Sequence, residues 1–332
     1  MAKRRLSKQQ LGRIAKNQEA DSIVNGVIIR HFGKQLDVEV LTGTGADEAA
    51  EKTGEATLVR CHQRANLPTL VTGDRVTWEP GEDGVGVITA LAERRSVFAR
   101  PGFAGVVKPM ASNIDVVLIV IAPTPMPHAN LIDRYLVAIE ALNLQPLLIL
   151  NKCDLLSSCE DPEAVVELVE LYRSLSYPCL AVSALQGEGL EALREQLQGR
   201  TTVLVGQSGV GKSSLVNGLG GDLEDDSPLA QVGELSEFHD KGMHTTTTSV
   251  LFHLDGFDLI DSPGIREFGL GHVSPQEVLE GFVELREIAR QCKFRDCAHQ
   301  GEPGCAVDAA LEAGEIHPSR LNSYFQIIDS LE

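Results

Sequence analysis

Gly206, Gln207, Ser208, Gly209, Val210, Gly211, Lys212 and Ser213 spell G-x-x-x-x-G-K-S in full. Glycines at those positions let a loop wrap its backbone N–H groups around phosphate oxygens, with a helix N-terminus adding partial positive charge. In that pattern Lys212 reaches the β- and γ-phosphates, Ser213 holds Mg²⁺ through its hydroxyl, and Ser214 extends the helix start. A phosphate loop does not choose a base. Asn151, Lys152, Cys153 and Asp154 read N-K-x-D, in which a carboxylate accepts from N1–H and the 2-amino group of guanine. Adenine offers neither donor there. Ser183 and Ala184 supply a backbone contact to the base oxygen. Asp261-Ser-Pro-Gly264 reads D-x-x-G, whose Asp orders the water shell of Mg²⁺ and whose Gly264 amide contacts the γ-phosphate.

Between the phosphate loop and D-x-x-G lies His244 followed by Thr245, Thr246, Thr247 and Thr248. A Thr hydroxyl there completes the Mg²⁺ shell, and the spacing leaves open which one. After D-S-P-G comes Ile265, where many GTPases carry the Gln that orients the attacking water. An aliphatic side chain cannot do this. His244 is the candidate replacement, the alternative being a solvent-facing loop histidine.

Cys292, Cys297, His299 and Cys305 fall within fourteen residues. Three thiolates and one imidazole suit a closed, structural zinc site. Lys293 and Arg295 lie between these ligands and are placed to touch phosphate. The other cysteines, Cys61, Cys153, Cys159 and Cys179, are scattered, which suits reduced thiols.

These residues need a scaffold. Apolar strands alternate with helical stretches from residue 114: strand Asp115–Ala122, helix Leu131–Leu142, strand Pro146–Asn151, helix Pro162–Leu175, strand Cys179–Ser183, helix Leu190–Gln198, strand Thr202–Val205 and a helix from Lys212. Strands at Thr247–Leu254 and Asp258–Asp261 make a hairpin. This is a βαβ pattern with a mostly parallel sheet, with the chemistry at the strands' carboxyl ends. Before it, Gly26–Arg30, Gln35–Leu41, Thr57–Gln63, Asp74–Glu79 and Gly86–Ala90 read as five short strands. They suit an oligonucleotide-binding-type barrel or another small β domain.

The expected organisation is a basic, disordered arm at 1–20, the barrel at 21–93, a linker at 94–113, the nucleotide domain at 114–271 and a helical zinc-binding domain at 272–332. The net charge is −18, yet Lys3, Arg4, Arg5, Lys8, Arg13 and Lys16 all precede the first acid, Glu19. A basic arm on an acidic body binds phosphates locally while the body repels non-specific contacts. No signal peptide is read, and the apolar run Val116–Ala122 is seven residues against the roughly 20 of a membrane span. A cytoplasmic, monomeric protein with no membrane association is expected.

Motif order identifies the family. In translation-factor-like GTPases the phosphate loop comes first, whereas here N-K-C-D and S-A precede it, as in a circularly permuted GTPase. With Thr72-Gly-Asp-Arg-Val76, His244-Thr-Thr-Thr247 and the Cys/His cluster, the chain resembles the ribosome small-subunit-dependent GTPase A (RsgA) family over roughly residues 22–325. Met243 departs from the Arg that often precedes the His-Thr-Thr run.

The resemblance implies a multidomain α/β protein: an N-terminal barrel docking on 16S ribosomal RNA, a circularly permuted P-loop GTPase domain and a C-terminal zinc segment. It implies action in late maturation of the 30S subunit, with ribosome-stimulated GTP hydrolysis coupled to release. Two other readings compete with a GTPase assembly factor. One is a nucleotide-gated binding module with little turnover; the other is a P-loop ATPase or kinase, which Asp154 disfavours.

Overall fold

The computed structural model describes residues 24–32, 35–41, 57–81, 84–101, 107–220, 249–261 and 273–331. The basic arm, Met243, His244, Thr245–Thr248, Ser262–Gly264 and Ile265 lie outside the described residues. The chain divides into two compact units.

The first unit takes in the chain up to Arg95, with Ala111–Asn113 and Thr248–Leu251. Its strands are β1 (Gly26–Phe32), β2 (Gln35–Val40), β3 (Leu58–Gln63), β4 (Arg75–Pro80) and β5 (Gly86–Leu91). They run in the order β1-β2-β3-β5-β4, and β4 pairs back onto β1 through Gly26↔Val76 and Val27↔Arg75, closing a barrel. Among these five described strands β3 and β5 pair in parallel, as a crossover requires. Ile28, Leu36, Val38, Cys61, Val76 and Ile88 fill the interior. A Cβ on Gly26 would lie 2.4 Å from Val38 and 2.9 Å from Trp78, so β1 crosses this core where only glycine fits.

Asp74, fully buried, locks the exit from the barrel. Its carboxylate accepts from the Val71 amide (2.8 Å), the Ser112 hydroxyl (2.6 Å) and the Arg94 guanidinium (2.7 Å twice). Thr72 donates its hydroxyl to the Ser249 carbonyl at 3.1 Å, and Arg30 of β1 faces Val250 in a strand bridge. The T-G-D-R-V motif thus serves as a polar lock inside this unit.

The second unit holds a sheet ordered β10-β9-β8-β11-β13-β12. Its strands are β8 (Val116–Ile121), β9 (Gln145–Leu150), β10 (Cys179–Ala181), β11 (Thr201–Val205), β13 (Phe257–Asp261) and, from Phe252 onward, β12 (Val250–Leu254). The contacts β9–β10, β8–β9, β8–β11 and β11–β13 are all parallel. Every residue of β8, V-V-L-I-V-I, is buried, as expected of a strand covered on both faces.

Its helices are α1 (Ala129–Ala141), α2 (Pro162–Ser174), α3 (Leu190–Leu197) and α4 (Lys212–Gly220), with a 3-10 helix at Cys153–Ser158. Asp161 caps α2, accepting from the Ala164 amide at 3.0 Å with Pro162 at the first position. The expected linker at 94–113 differs: it contains β6 (Val97–Pro101) and β7 (Val107–Ser112), which pair as a two-stranded sheet. Pro101, Gly102, Gly105 and Pro109 suggest a turn-rich connection in the sequence, yet Pro101 and Pro109 lie within the two strands and Phe98 of β6 is buried.

Helices α5 (Pro275–Gly281), α6 (Val283–Ala289), α7 (Ala306–Glu312) and α8 (Pro318–Asp329) also belong to the second unit. Ser274 and Glu277 form a reciprocal capping box at α5. Val278, Phe282, Leu285, Val307 and Ile327 share one core with Val137 and Ala138 of α1. A buried ion network ties the same elements. Arg320 bonds Asp133 of α1 and forks onto Glu284 of α6 at 2.6 and 3.0 Å. The Tyr172 hydroxyl of α2 donates to Asp133 at 2.6 Å, and the guanidinium stacks 4.3 Å from the Phe282 ring. Among the described residues no helix is long and apolar enough to cross a membrane.

Candidate functional site

The loop Gly206–Gly211 leaves β11 and opens α4, so β8, β9 and β11 bring Gly206–Ser214 and Asn151–Asp154 to the carboxyl end of the sheet. Gly206, Gly209 and Gly211 have φ of +143°, +82° and +89°. Side chains rarely adopt such angles, and a Cβ at Gly206 would lie 2.2 Å from the Val120 carbonyl oxygen. The glycine spacing therefore follows from backbone conformation and from close approach to β8. The Lys212 ammonium donates to the carbonyls of Gly206 (2.7 Å) and Gln207 (2.6 Å), which folds it back over its own loop.

Asn151 joins three motifs. Its side-chain amide donates to Val210 O at 2.9 Å and Gly211 O at 3.3 Å, and its oxygen accepts from the Ala184 amide at 3.1 Å. Lys152 sits in the left-handed region (φ 57°), and its ammonium donates to Gly209 O at 2.6 Å and Thr124 O at 3.1 Å. Cys153 donates its amide to Val182 O at 3.1 Å and starts the 3-10 helix that carries Asp154 at the surface. Burial, with Glu188 and Asp154 adding negative charge, pushes the Cys153 thiol up and keeps it protonated.

Ser183 is buried and pairs across a tight loop with Glu188, while its hydroxyl accepts from the Gln186 amide at 3.2 Å. Asp261 ends β13, beside β11 in the sheet. The motifs Gly206–Ser214, Asn151–Asp154, Ser183–Ala184 and Asp261 are thus built at one end of one sheet. Gly264, His244, Thr245 and Thr246 lie outside the described residues. Such an arrangement supplies a phosphate cradle beside a carboxylate-bearing base loop.

Cys292, Cys297, His299 and Cys305 each place one ligand atom within 4.8 Å of the others, a group able to hold a metal ion. His299 Nδ1 lies 3.6 Å from both Cys292 Sγ and Cys305 Sγ. Zinc bonds of about 2.3 Å to sulfur and 2.0–2.1 Å to nitrogen, at tetrahedral angles, set that separation at about 3.6 Å. The donor set and spacing therefore fit zinc.

The surrounding backbone supports thiolates. Ala306 donates its amide to Cys292 Sγ at 3.3 Å, and Asp308 donates its amide to Cys305 Sγ at 3.4 Å. Glu302 accepts from the amides of Ala298 and Gln300, both at 2.7 Å, and these hold its carboxyl below the usual range. Burial pushes the Cys305 thiol up to about 12 and lowers His299, which favours a neutral imidazole ligand. Glu302 and Asp308, the latter accepting from the Gly301 amide at 3.0 Å, escaped the sequence reading. The Glu three residues before Cys305 was the available signal.

The RsgA GTPase family model matches residues 91–271. The small ribosomal subunit biogenesis GTPase RsgA of Pseudomonas putida is 53% identical over 307 residues, covering 92% of this chain and 85% of that protein. The chain belongs to the RsgA GTPase family. The Pseudomonas fluorescens RsgA is 49% identical, covering all of this chain and 98% of its own.

Among solved structures, YjeQ from Thermotoga maritima matches with a TM-score of 0.70 and 32% identity, over 92% of this chain and 97% of that one. YloQ, a circularly permuted GTPase, matches with a TM-score of 0.67 and 26% identity, over 92% and 94% of the two chains. As an RsgA-family member the chain is a GTP hydrolase with a circularly permuted nucleotide domain, since β9 with N-K-C-D precedes β11 with the phosphate loop.

Proposed function

We propose that this chain binds the 30S ribosomal subunit and acts in its late maturation, hydrolysing GTP to GDP and phosphate in a ribosome-stimulated reaction coupled to release. The observation that carries this reading is full-length similarity to RsgA proteins named for small-subunit biogenesis. The basic arm (1–20) and the barrel (21–93) meet 16S rRNA. Residues 114–271 turn over GTP, and 272–332 form a zinc-bearing segment. The protein works in the cytoplasm as a monomer.

In the nucleotide site Asp154 accepts from N1–H and the 2-amino group of guanine, with Asn151, Lys152 and Cys153 shaping its loop and Ser183–Ala184 facing the base oxygen. The backbone of Gly206–Gly211 cradles the phosphates, and the Ser214 turn continues the helix whose N-terminus faces them. Lys212 exchanges its two carbonyl partners for phosphate oxygens. Ser213 and one Thr of 245–248 would hold the Mg²⁺ that accompanies GTP, with Asp261 ordering its water shell, and the ion would offset phosphate charge. Gly264 donates its amide to the γ-phosphate. His244 orients the attacking water in place of the Gln that Ile265 replaces. Cys292, Cys297, His299 and Cys305 hold a structural Zn²⁺.

The test is turnover and binding with purified 30S subunits. The chain alone hydrolyses GTP slowly, and subunits raise the rate. A non-hydrolysable GTP analogue tightens 30S binding relative to GDP by about 5–150-fold. By linkage, subunits tighten analogue binding by the same factor. Removing residues 1–20 lowers the salt slope of 30S binding and leaves nucleotide dependence in place. Equal 30S affinity for both nucleotide forms at one salt concentration would make the protein a constitutive RNA binder.

A further inference from the structure

Five large hydrophobic side chains are exposed among the described residues. One of them, Val166 (44%), lies on α2, which follows the 3-10 helix of the N-K-C-D segment. Leu156, Pro162 and Val166, with Cys153, Glu163 and Glu167, line an open groove of about 610 Å³ between the 3-10 helix and α2. Scattered apolar surface needs no explanation, whereas an apolar groove with a charged rim marks an interaction site.

The charge around this groove is one-sided. From Cys153 to Glu170 the chain carries Asp154, Glu160, Asp161, Glu163, Glu167 and Glu170, all exposed, and no lysine or arginine. Arg173 answers only Glu170. Such a field repels RNA phosphates, and it repels a second copy of a chain with net charge −18. It favours a basic polypeptide. The apolar patch inside the acidic rim asks that polypeptide for one aliphatic anchor.

We propose that the groove between the 3-10 helix and α2 docks a basic protein segment bearing a single aliphatic anchor, and that docking changes guanine-nucleotide release. The second clause rests on the assignment of Asp154 to the base. The link is covalent and short: the 3-10 helix that forms one wall starts at Cys153 and carries Asp154 in its first turn. Cys153 is pinned to Val182 beside Ser183–Ala184, so a load on Leu156 moves the base loop against that anchor.

The experiment uses the full chain loaded with GDP and a short Lys/Arg peptide with one central Leu, compared with the same peptide carrying Ser. The Leu peptide binds about tenfold more tightly, the order expected for burying one aliphatic side chain. Val166→Ser abolishes that difference. Glu163→Gln with Glu167→Gln flattens the salt dependence of binding. Saturating Leu peptide changes the GDP release rate at least about threefold in the wild type and leaves it unchanged in Val166→Ser. All three positions are exposed on the folded surface, so GDP affinity without peptide stays at the wild-type value.

Equal binding of the two peptides, or a Leu advantage that survives Val166→Ser, overturns the docking site. Competition by polyuridine RNA through the same residues assigns the face to nucleic acid and overturns it too, as does self-association abolished by Val166→Ser. Anchor-dependent binding with unchanged GDP release overturns only the link to the nucleotide. Failure of the wild-type chain to bind GDP at all sinks the base-site assignment while the peptide comparison still stands.

Discussion

Asn151 and Ala184, 33 residues apart, are joined by a 3.1 Å hydrogen bond from the Ala184 amide to the Asn151 side chain, whose other end holds Val210 at 2.9 Å. One buried amide therefore sets the spacing between the base loops and the phosphate loop. It uses its donor and its acceptor at once, so no replacement of similar size serves both.

Asn151→Ala leaves the Val210 and Gly211 carbonyls and the Ala184 amide without this partner. An unmade buried hydrogen bond costs about 1–3 kcal/mol. GDP affinity, measured by titration calorimetry, falls by about 10–100-fold. Asn151→Asp keeps the acceptor for Ala184 and loses the donor to Val210, so its loss is of similar size. Wild-type affinity in both variants would show that the loops hold their places without Asn151.

Asp154→Asn acts at the base itself. Asp154 makes none of the cross-links that Asn151 makes, and it is exposed at the start of the 3-10 helix. The change turns a carboxylate acceptor into a donor that faces guanine's own donors. GDP binding weakens by at least about 1–3 kcal/mol, whereas the melting temperature stays near that of the wild type. Competition by ADP does not improve. Unchanged GDP affinity would remove Asp154 from the site.

His244→Ala tests the missing Gln. The variant keeps nearly full nucleotide affinity and loses subunit-stimulated turnover by about 10²-fold or more, the usual worth of a group that handles a proton or water in the transition state. Full stimulated turnover would leave His244 with no role in the step.

Zinc removal should be local and pH-dependent. Metal analysis finds one zinc per chain, and chelation or Cys297→Ala loosens the segment from Gln291 onward while GDP binding persists. The Cys305 thiol, pushed up to about 12, and the raised Cys297 thiol are protonated without metal at neutral pH. Each zinc bound therefore displaces about two or more protons. Zinc retention must weaken as pH falls, because protons compete for the sulfurs. Metal loss independent of pH between about 5 and 8 would argue against thiolate ligation.

Arg320 neutralises two acids in the interior, and its removal leaves Asp133 fully buried. Breaking one member of such a network costs about 3–5 kcal/mol. Arg320→Met lowers the melting temperature by about 6–10 °C. Adding Asp133→Leu to that variant recovers part of the loss, because the orphaned charge goes with it. A double variant no more stable than the single would show that Asp133 is not the source of the cost.

The parts legible in the sequence were those written contiguously. The phosphate loop, N-K-C-D and the Cys/His cluster each carry their chemistry within a few neighbouring residues. The unbroken apolar run of β8 announces a strand buried on both faces. What escaped depends on partners distant in sequence. Nothing local tells Asn151 that it meets Val210 and Ala184, or Asp133 that Arg320 neutralises it, 187 residues away. The β6–β7 ribbon was masked by turn-forming residues, because short strands rest on burial that periodicity alone does not report.

The barrel also sets how the gene can be cut. Its compact unit includes Ala111–Asn113 and Thr248–Leu251 as well as the chain up to Arg95. A truncation starting after Arg95 discards Asp74, the acceptor of the Ser112 hydroxyl, and Thr72, the donor to Ser249. A fragment ending at Arg95 lacks Ser112 and Val250, the latter the strand partner of Arg30. Neither fragment is a module. A recombinant barrel must carry residues from three separate stretches of the chain, and a tag inserted between Ser249 and Leu251 disrupts the Thr72–Ser249 hydrogen bond and the Arg30–Val250 bridge even though it lies some 150 residues beyond the barrel's own last strand.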